Sequence, residues 1–256
     1  MHFVSRTFAL FLLSAFSALA LAQAQKAPAY EPSVGQEGKD VVWVPTPQSL
    51  VDKMLDMAKV TPKDFLMDLG SGDGRTVITA AKRGVRALGI EYNPDMVELS
   101  KRNAAKEGVS DRAQFMKADL FETDFSKATV ITMFLLPDIN LKLRPKILDL
   151  KPGTRIVSNT FTMGDWEADQ TDSPGGCDSS WCTALLWIVP ARVGGRHVLP
   201  QGEFVLRQEF QLVSGTLRAD GKELPVEGKV NGEEVVLKAG GKEYRGRMNG
   251  KRLALN

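Results

Sequence analysis

The sequence predicts an α/β protein, a mostly parallel sheet with helices on both faces, followed by a small C-terminal antiparallel β meander. Two observations lead to this fold class. Strand-like and helix-like segments alternate along most of the chain, which is typical of parallel sheets covered on both faces. Beyond about residue 190 the segments become short, alternate in polarity and end in glycine turns, which is typical of hairpins.

The alternating part predicts its elements in chain order from apolar periodicity and from start and stop signals. Asn93-Pro94 is typical of a helix cap followed by a first-turn proline, and Gly108 is typical of a helix stop. The predicted helices lie near residues 48–59, 74–83, 94–107 and 138–149. The predicted strands lie near residues 65–69, 86–90, 113–117, 128–135 and 154–160. Ligands bind beyond the carboxyl ends of such strands, so we expect the functional site there.

The C-terminal segment, residues 191–256, is predicted to form the meander. Its strand-like stretches lie at residues 203–212, 234–238 and 243–248. Its turn signals are Ala219-Asp220-Gly221-Lys222, Val230-Asn231-Gly232-Glu233 and Met248-Asn249-Gly250-Lys251. We expect this segment to act as a lid or a stabilising appendage, with a substrate-docking surface as the alternative.

A glycine-rich loop follows the first predicted strand. Asp68 ends the strand, and Gly70, Gly72 and Gly74 follow at alternate positions. Glycine lets the backbone turn sharply and approach a ligand closely, and a loop between a strand and a helix is where such folds bind nucleotides. The spacing differs from the G-x-G-x-x-G of dinucleotide sites, which disfavours an NAD-dependent oxidoreductase. It favours a ligand with a cationic or amino group near the loop.

The loop resembles motif I of the class I S-adenosylmethionine-dependent methyltransferases, which have a Rossmann-like fold. Two further positions fit this family. Glu91 follows the second predicted strand, where the family binds both ribose hydroxyls. Asp119 and Leu120 follow the third, where the family contacts the adenine. The resemblance implies that S-adenosyl-L-methionine is the cofactor.

Segments on both sides of the loop resemble a narrower group. They are Trp43-Val44-Pro45-Thr46-Pro47, Phe134-Leu135-Leu136-Pro137 and the stretch from Leu150 to Ser158. The group comprises the small lysine methyltransferases that modify the c-ring protein of ATP synthase and the adenine nucleotide translocase in mitochondria, with bacterial relatives, all distantly Dot1-like. The resemblance covers roughly residues 40–165 and leaves out the C-terminal meander.

This resemblance implies methyl transfer to a lysine side chain of a protein, possibly a membrane protein. Leu135, Leu136 and Pro137 would line the acceptor channel, with no dedicated base, and Thr46 and Pro47 would close over the methionine end of the cofactor. The implied cofactor-binding set is Thr46, Pro47, Asp68, Gly70, Ser71, Gly72, Asp73, Gly74, Glu91, Asp119 and Leu120.

Other acceptors and functions stay open at this stage. The N-P-P-Y motif of many adenine and amide N-methyltransferases is absent after the fourth strand, whereas a small-molecule acceptor is compatible with the sequence. A different class of function is an exported module that binds a nucleoside-like ligand without catalysis. The chain has two histidines, His2 and His197, which disfavours a histidine-based triad.

Composition narrows the partners. The 256 residues carry a net charge of +2 without a dense basic stripe, so we expect no nucleic-acid partner. The two cysteines, Cys177 and Cys182, are compatible with a disulfide in an exported protein and equally with two thiols. We expect no metal site, since zinc normally takes four ligands.

The N-terminus has the features of a secretory signal peptide over residues 1–24. A single arginine precedes an apolar run from Thr7 to Ala22, and small-x-small cleavage sites follow. A retained membrane anchor is the alternative, and membrane contact depends on it. Residues 25–40 are predicted as a linker, residues 41–190 as the methyltransferase domain and residues 191–256 as the appendage. Export conflicts with the cytosolic supply of S-adenosylmethionine. Use of cofactor outside the cytosol, anchoring, or binding without catalysis would resolve it.

Overall fold

The computed structural model of this protein describes residues 30–177 and 179–256, so the predicted signal peptide lies outside the described residues. The helices of the described part are α1 (Gln48–Met57), α2 (Arg75–Lys82), α3 (Pro94–Lys106) and α4 (Pro137–Leu148). None of these helices is both long enough and apolar enough to cross a membrane.

The first sheet follows the predicted alternating pattern and adds strands that the sequence analysis missed. Its parallel strands are β1 (Phe65–Leu69), β2 (Arg86–Glu91), β3 (Ala113–Lys117), β4 (Val130–Met133) and β5 (Arg155–Asn159). The missed strands are β6 (Gln170–Asp172) and β7 (Ala184–Ile188), and β7 runs antiparallel to β5. The strand order is β3-β2-β1-β4-β5-β7-β6, so the order switches between β1 and β4.

Helices cover both faces of this sheet, which confirms the predicted architecture. Leu66 and Val130 belong to the buried cluster that contains the apolar faces of α1, α2 and α3. Met67 and Ile131, one position further along the same strands, belong to the cluster that contains α4. Successive strand residues point to opposite faces, so a continuous apolar run in a strand reflects burial on both sides.

The C-terminal sheet is larger than the small meander that the sequence predicts. Its strands are β8 (Gly195–Leu199), β9 (Gly202–Glu209), β10 (Leu212–Ala219), β11 (Lys222–Asn231), β12 (Glu234–Ala239), β13 (Lys242–Asn249) and β14 (Arg252–Leu255). They pair in sequence order as an antiparallel near-barrel around its own core. A side chain at Gly215 or Gly246 would overlap the carbonyl oxygen of the adjacent strand, so glycine permits the bends that curl the sheet.

The turn between β9 and β10 explains one error of the sequence analysis. Residues 203–212 were predicted as a single strand, but Phe210 interrupts them with a left-handed φ of 51°. A turn at a phenylalanine carries no glycine or asparagine signal. Phe210 instead stacks on Trp166 of the first domain, with ring centroids 5.9 Å apart, and this contact stabilises the turn.

Polar contacts also join the near-barrel to the first domain. Lys229 forms an ion pair with the buried carboxylate of Asp169 at 2.8 Å, and the side-chain amide of Gln211 donates to the backbone oxygen of Glu167 at 2.8 Å. The near-barrel therefore packs on the side of the first domain that carries α4 and β7.

Candidate active site

A cavity of about 520 Å³ opens at the carboxyl ends of the parallel strands. This size lies within the range of small-molecule and cofactor sites. Most of the predicted site residues line it, namely Thr46, Asp68, Gly70, Ser71, Gly72, Asp73, Glu91, Asp119, Leu120, Leu135 and Leu136. The topology brings them together because β1, β2, β3 and β4 all end at this edge of the sheet.

The glycine turn after β1 forms one wall of the cavity. Gly70 and Gly72 have φ values of 78° and 54°, in the left-handed region that glycine adopts without strain. The backbone N–H groups of Gly70 and Ser71 donate to the carbonyl oxygen of Ile90, at 2.9 and 3.0 Å. A Cβ atom on Gly72 would lie 2.7 Å from the indole nitrogen of Trp43, so this position has room for glycine alone.

Glu91, at the end of β2, organises the same turn. One carboxylate oxygen accepts from the backbone N–H of Gly72 at 2.9 Å, and the other accepts from that of Asn93 at 2.9 Å. Charge-assisted bonds of this kind are about twice as strong as neutral ones. Glu91 therefore fixes the glycine turn to the start of α3 while it lines the cavity.

Asp68 is a buried carboxyl group whose protonation is sensitive to its surroundings. It is 6% exposed and accepts a hydrogen bond from the Thr132 hydroxyl at 2.7 Å. Burial raises the pKa of Asp68 to about 7, and the nearby charges of Glu91 and Asp73 add to the rise, while the bond from Thr132 opposes it. A cationic group beside Asp68 would favour its ionised form.

Residues 35–43 form a strap over one side of the cavity. Its ends are joined by backbone hydrogen bonds between Gly35 and Trp43 and between Gln36 and Trp43. Lys39 on the strap donates to the Asp119 carboxylate at 2.5 Å. This bond lowers the pKa of Asp119 and raises that of Lys39. The described part of the predicted linker thus contacts the site.

Arg75 connects the glycine turn to the chain before α1. Its guanidinium binds both carboxylate oxygens of Asp73 and donates to the backbone oxygen of Thr46 at 2.9 Å. The Thr46 hydroxyl accepts from the Asn159 side chain at the end of β5, at 3.4 Å. Thr46 is therefore held between β1 and β5, at the mouth of the cavity.

Aromatic and apolar side chains form another wall. Leu135 is buried and lies against the glycine turn, where a Cβ on Gly70 would be 3.1 Å from its Cδ2 atom. Leu136 is 45% exposed at the rim. The rings of Phe134, Phe161 and Trp181 complete this wall. The cavity thus combines an acidic side with an apolar side.

Three predicted residues lie outside the set that lines the cavity. Pro47 caps α1, and Pro137 is the first residue of α4, so both proline rings start helices. Gly74 caps α2, where a Cβ atom would lie 2.8 Å from the Phe115 ring. These residues position the loops rather than face the cavity.

Sequence analysis missed Lys39, Phe161 and Trp181. Phe161 follows the carboxyl end of β5, a place where ligand-binding residues are expected, so the strand rule was sufficient to find it. Trp181 precedes β7, a strand that was not predicted, and Lys39 lies in the predicted linker. The sequence around these two residues carries no motif that points to a site.

Comparison with known proteins identifies the family. The model of the ANTKMT methyltransferase domain matches residues 68–170. A protein-lysine N-methyltransferase of Saccharolobus islandicus is 47% identical over 129 residues, which cover 49% of this chain and 80% of that protein. The chain belongs to the ANTKMT family of lysine methyltransferases. The lysine N-methyltransferase of Mus musculus that is named for the c-ring protein of ATP synthase is 31% identical over 174 residues, 68% of each chain.

A solved structure supports the same fold for the methyltransferase domain. It is described as an RNA methyltransferase from Salinibacter ruber in complex with S-adenosyl-L-homocysteine. It is 47% identical, with a TM-score of 0.55, and the match covers 59% of this chain and 96% of that one. The matched lengths of these relatives leave much of the near-barrel without a counterpart.

The residues of this methyltransferase fit S-adenosylmethionine. Asp68 offers a carboxylate for a cationic group, and Glu91 and Asp119 offer further acceptors from neighbouring strands. Gly70 and Gly72 present backbone rather than side chains to the cavity. The Ser71 hydroxyl is 5% exposed and has no hydrogen-bond partner among the described residues.

The pKa of Asp68 predicts how pH affects the ligand-free protein. Between the ordinary carboxyl pKa and about 7, the folded protein keeps a proton that the unfolded chain releases. The stability that this provides is complete at low pH and is lost as pH rises through about 7. We expect the free energy of unfolding, from urea denaturation at pH 5 to 8, to fall with pH in the wild type and to fall less in Asp68→Asn. Equal slopes in the two proteins would contradict the raised pKa.

Proposed function

We propose that this methyltransferase transfers the methyl group of S-adenosylmethionine to a lysine side chain of a protein. The observation that carries the proposal is the cavity itself, in which three carboxylates from successive strands face an apolar and aromatic wall. The family of the chain supports the same acceptor. It also favours methyl transfer over the alternative of ligand binding without catalysis.

The chain's residues would act mainly by alignment. Methyl transfer to an amine is an in-line displacement, and holding the reactants in line is worth several kcal/mol. The bound cofactor would supply a methyl group on a positively charged sulfur, which departs as a neutral thioether. Asp68, Glu91 and the glycine turn would hold the cofactor, while Phe134 and Leu135 direct the amine towards it.

The apolar wall also prepares the acceptor. A lysine ammonium must lose a proton to solvent before its nitrogen attacks, and an apolar environment lowers the lysine pKa because it disfavours the charged form. Phe134 is half-buried and Leu135 is buried at this wall. A dedicated base is therefore not required by the chemistry.

For the partner, we propose a membrane protein. The mouse relative is named for the c-ring protein of ATP synthase, which is a membrane protein. We also retain the proposal that the protein is exported or anchored, on the basis of the apolar run from Thr7 to Ala22. N-terminal sequencing of the protein from cell-envelope fractions should then begin at Gln23 or Gln25. An intact N-terminus in the envelope would indicate an anchor, and an intact soluble protein would contradict both.

A second candidate acceptor is RNA, since the Salinibacter ruber protein is described as an RNA methyltransferase. One experiment separates the two. The purified protein is incubated with tritiated S-adenosylmethionine and, separately, with membrane proteins, soluble proteins or RNA from the source cells. Acid hydrolysis of labelled protein should release methylated lysine, and Glu91→Ala serves as the inactive control. Label in nucleosides, with none in lysine, would contradict the proposal and establish the RNA alternative.

A further inference from the structure

Three aromatic rings meet at the carboxyl edge of the first sheet, and we call Phe134, Phe161 and Trp181 the aromatic wall. The Phe134 and Phe161 rings stack with centroids 5.7 Å apart, and the Trp181 ring lies 6.2 Å from Phe134 at an angle of 57°. All three side chains line the cavity. They meet because β4 and β5 end at this edge, where the antiparallel strand β7 begins.

A strained residue fixes one side of the aromatic wall. Thr160 has a φ of 60°, which is unfavourable for a β-branched side chain. The backbone N–H of Phe161 donates to the carbonyl oxygen of Asn159 at 2.6 Å, which closes a tight turn around Thr160. The backbone N–H of Thr160 donates to the Thr183 carbonyl oxygen at 2.7 Å. Strain of this kind persists where the surrounding structure imposes it, often at functional sites.

The other side of the aromatic wall is held by a covalent ring. The structure contains a disulfide between Cys177 and Cys182, so the alternative of two thiols does not apply. Trp181 lies inside this short ring, next to Cys182, which packs against the buried cluster of the first domain. Trp181 is 40% exposed. A large ring in so exposed a position depends on its backbone for its orientation, and the disulfide restricts that backbone.

The chemistry of the aromatic wall suits a cation. The faces of aromatic rings attract ammonium and methylated ammonium groups, with tryptophan the strongest. We propose that Trp181, positioned by the Cys177–Cys182 disulfide, binds the amino group of the acceptor, so that reduction of the disulfide weakens acceptor binding. This inference rests on the proposed lysine acceptor. Trp181 then determines specificity for the acceptor, and the disulfide acts as a positioning element.

Nuclear magnetic resonance can test the aromatic wall without any acceptor protein. The sequence has four tryptophans, so an indole-¹⁵N-labelled protein gives a simple spectrum in which Trp181→Phe identifies the Trp181 signal. Tetramethylammonium chloride is the probe, sodium chloride controls for ionic strength, and tert-butanol is a neutral control of similar shape. We expect tetramethylammonium to shift the Trp181 signal in a saturable way, and the signals of the buried Trp166 and Trp187 to stay in place.

The same titration tests the disulfide. Dithiothreitol supplies two electrons and two protons, which break the sulfur–sulfur bond and leave two thiols. After reduction, and independently in the double variant Cys177→Ser/Cys182→Ser, the affinity for tetramethylammonium should fall at least about threefold. Equal effects of tert-butanol and tetramethylammonium would overturn the cation site. Unchanged affinity in both the reduced protein and the double variant would overturn the role of the disulfide.

A kinetic measurement connects the aromatic wall to turnover once a labelled acceptor is in hand. Trp181→Ala should raise the acceptor KM at least about fivefold, leave the cofactor Kd unchanged and regain most of its affinity as Trp181→Phe. An unchanged acceptor KM in Trp181→Ala would overturn the inference. A wild-type protein that labels no lysine would instead refute the proposed function, while the tetramethylammonium titration still reports on the aromatic wall.

Discussion

Glu91→Ala should weaken S-adenosylmethionine binding at least about tenfold, because it removes charge-assisted hydrogen bonds worth about 1.5–3 kcal/mol each. The loss has two sources. Glu91 lines the cavity, and its carboxylate also holds the backbone N–H groups of Gly72 and Asn93. The variant therefore loses both a ligand contact and the order of the glycine turn. Asp68→Ala should lose affinity to a similar extent.

Isothermal titration calorimetry measures this loss directly. Glu98→Ala is the matched control, since Glu98 is an exposed carboxylate on α3 that pairs with Lys101 away from the cavity. We expect the control to bind as the wild type does. Wild-type affinity in both Glu91→Ala and Asp68→Ala would show that these carboxylates do not hold the cofactor.

The second large effect is expected for Gly72→Ala. The added Cβ atom would lie 2.7 Å from the Trp43 indole nitrogen, and the φ of 54° costs a residue with a side chain about 1–2 kcal/mol. The turn must shift to relieve the overlap, which moves the backbone that faces the ligand. We expect cofactor affinity to fall at least about tenfold, together with a lower melting temperature.

Gly108→Ala separates the two causes. Gly108 also has a left-handed φ, of 69°, but a Cβ atom there meets nothing within 4 Å, at the end of α3. Both variants should therefore lose stability through backbone strain, while Gly72→Ala alone loses cofactor affinity. Equal affinities in the two variants would mean that the backbone of the glycine turn does not contact the ligand.

The acidic side of the site was predictable because it depends on local sequence. A carboxylate at the end of a strand, followed by glycines that must adopt positive φ, leaves a signature at fixed spacing. Asp68, Gly72 and Glu91 were found in this way, and the parallel sheet then brings them to one edge. Alternating apolar segments predicted β1 to β5 and the four helices of the described residues within a few positions.

The apolar side was less predictable because it depends on long-range packing. Trp181 reaches the cavity through an antiparallel strand and a disulfide, neither of which the local pattern specifies. The closure of the C-terminal sheet was missed for a similar reason. Short alternating strands predict hairpins, but the curl into a near-barrel follows from close strand contacts at glycines such as Gly215 and Gly246.

Calorimetric titration of the wild-type protein tests most directly whether the cavity is a site for S-adenosylmethionine. S-adenosylmethionine, S-adenosylhomocysteine and NAD are titrated in turn at pH 8, where the Asp68 carboxyl group is ionised in the larger fraction of molecules. We expect both sulfur nucleosides to bind with one molecule per chain, and NAD not to bind. Binding of NAD, or no binding of either sulfur nucleoside by a folded protein, would contradict the assignment of the glycine turn and its carboxylates.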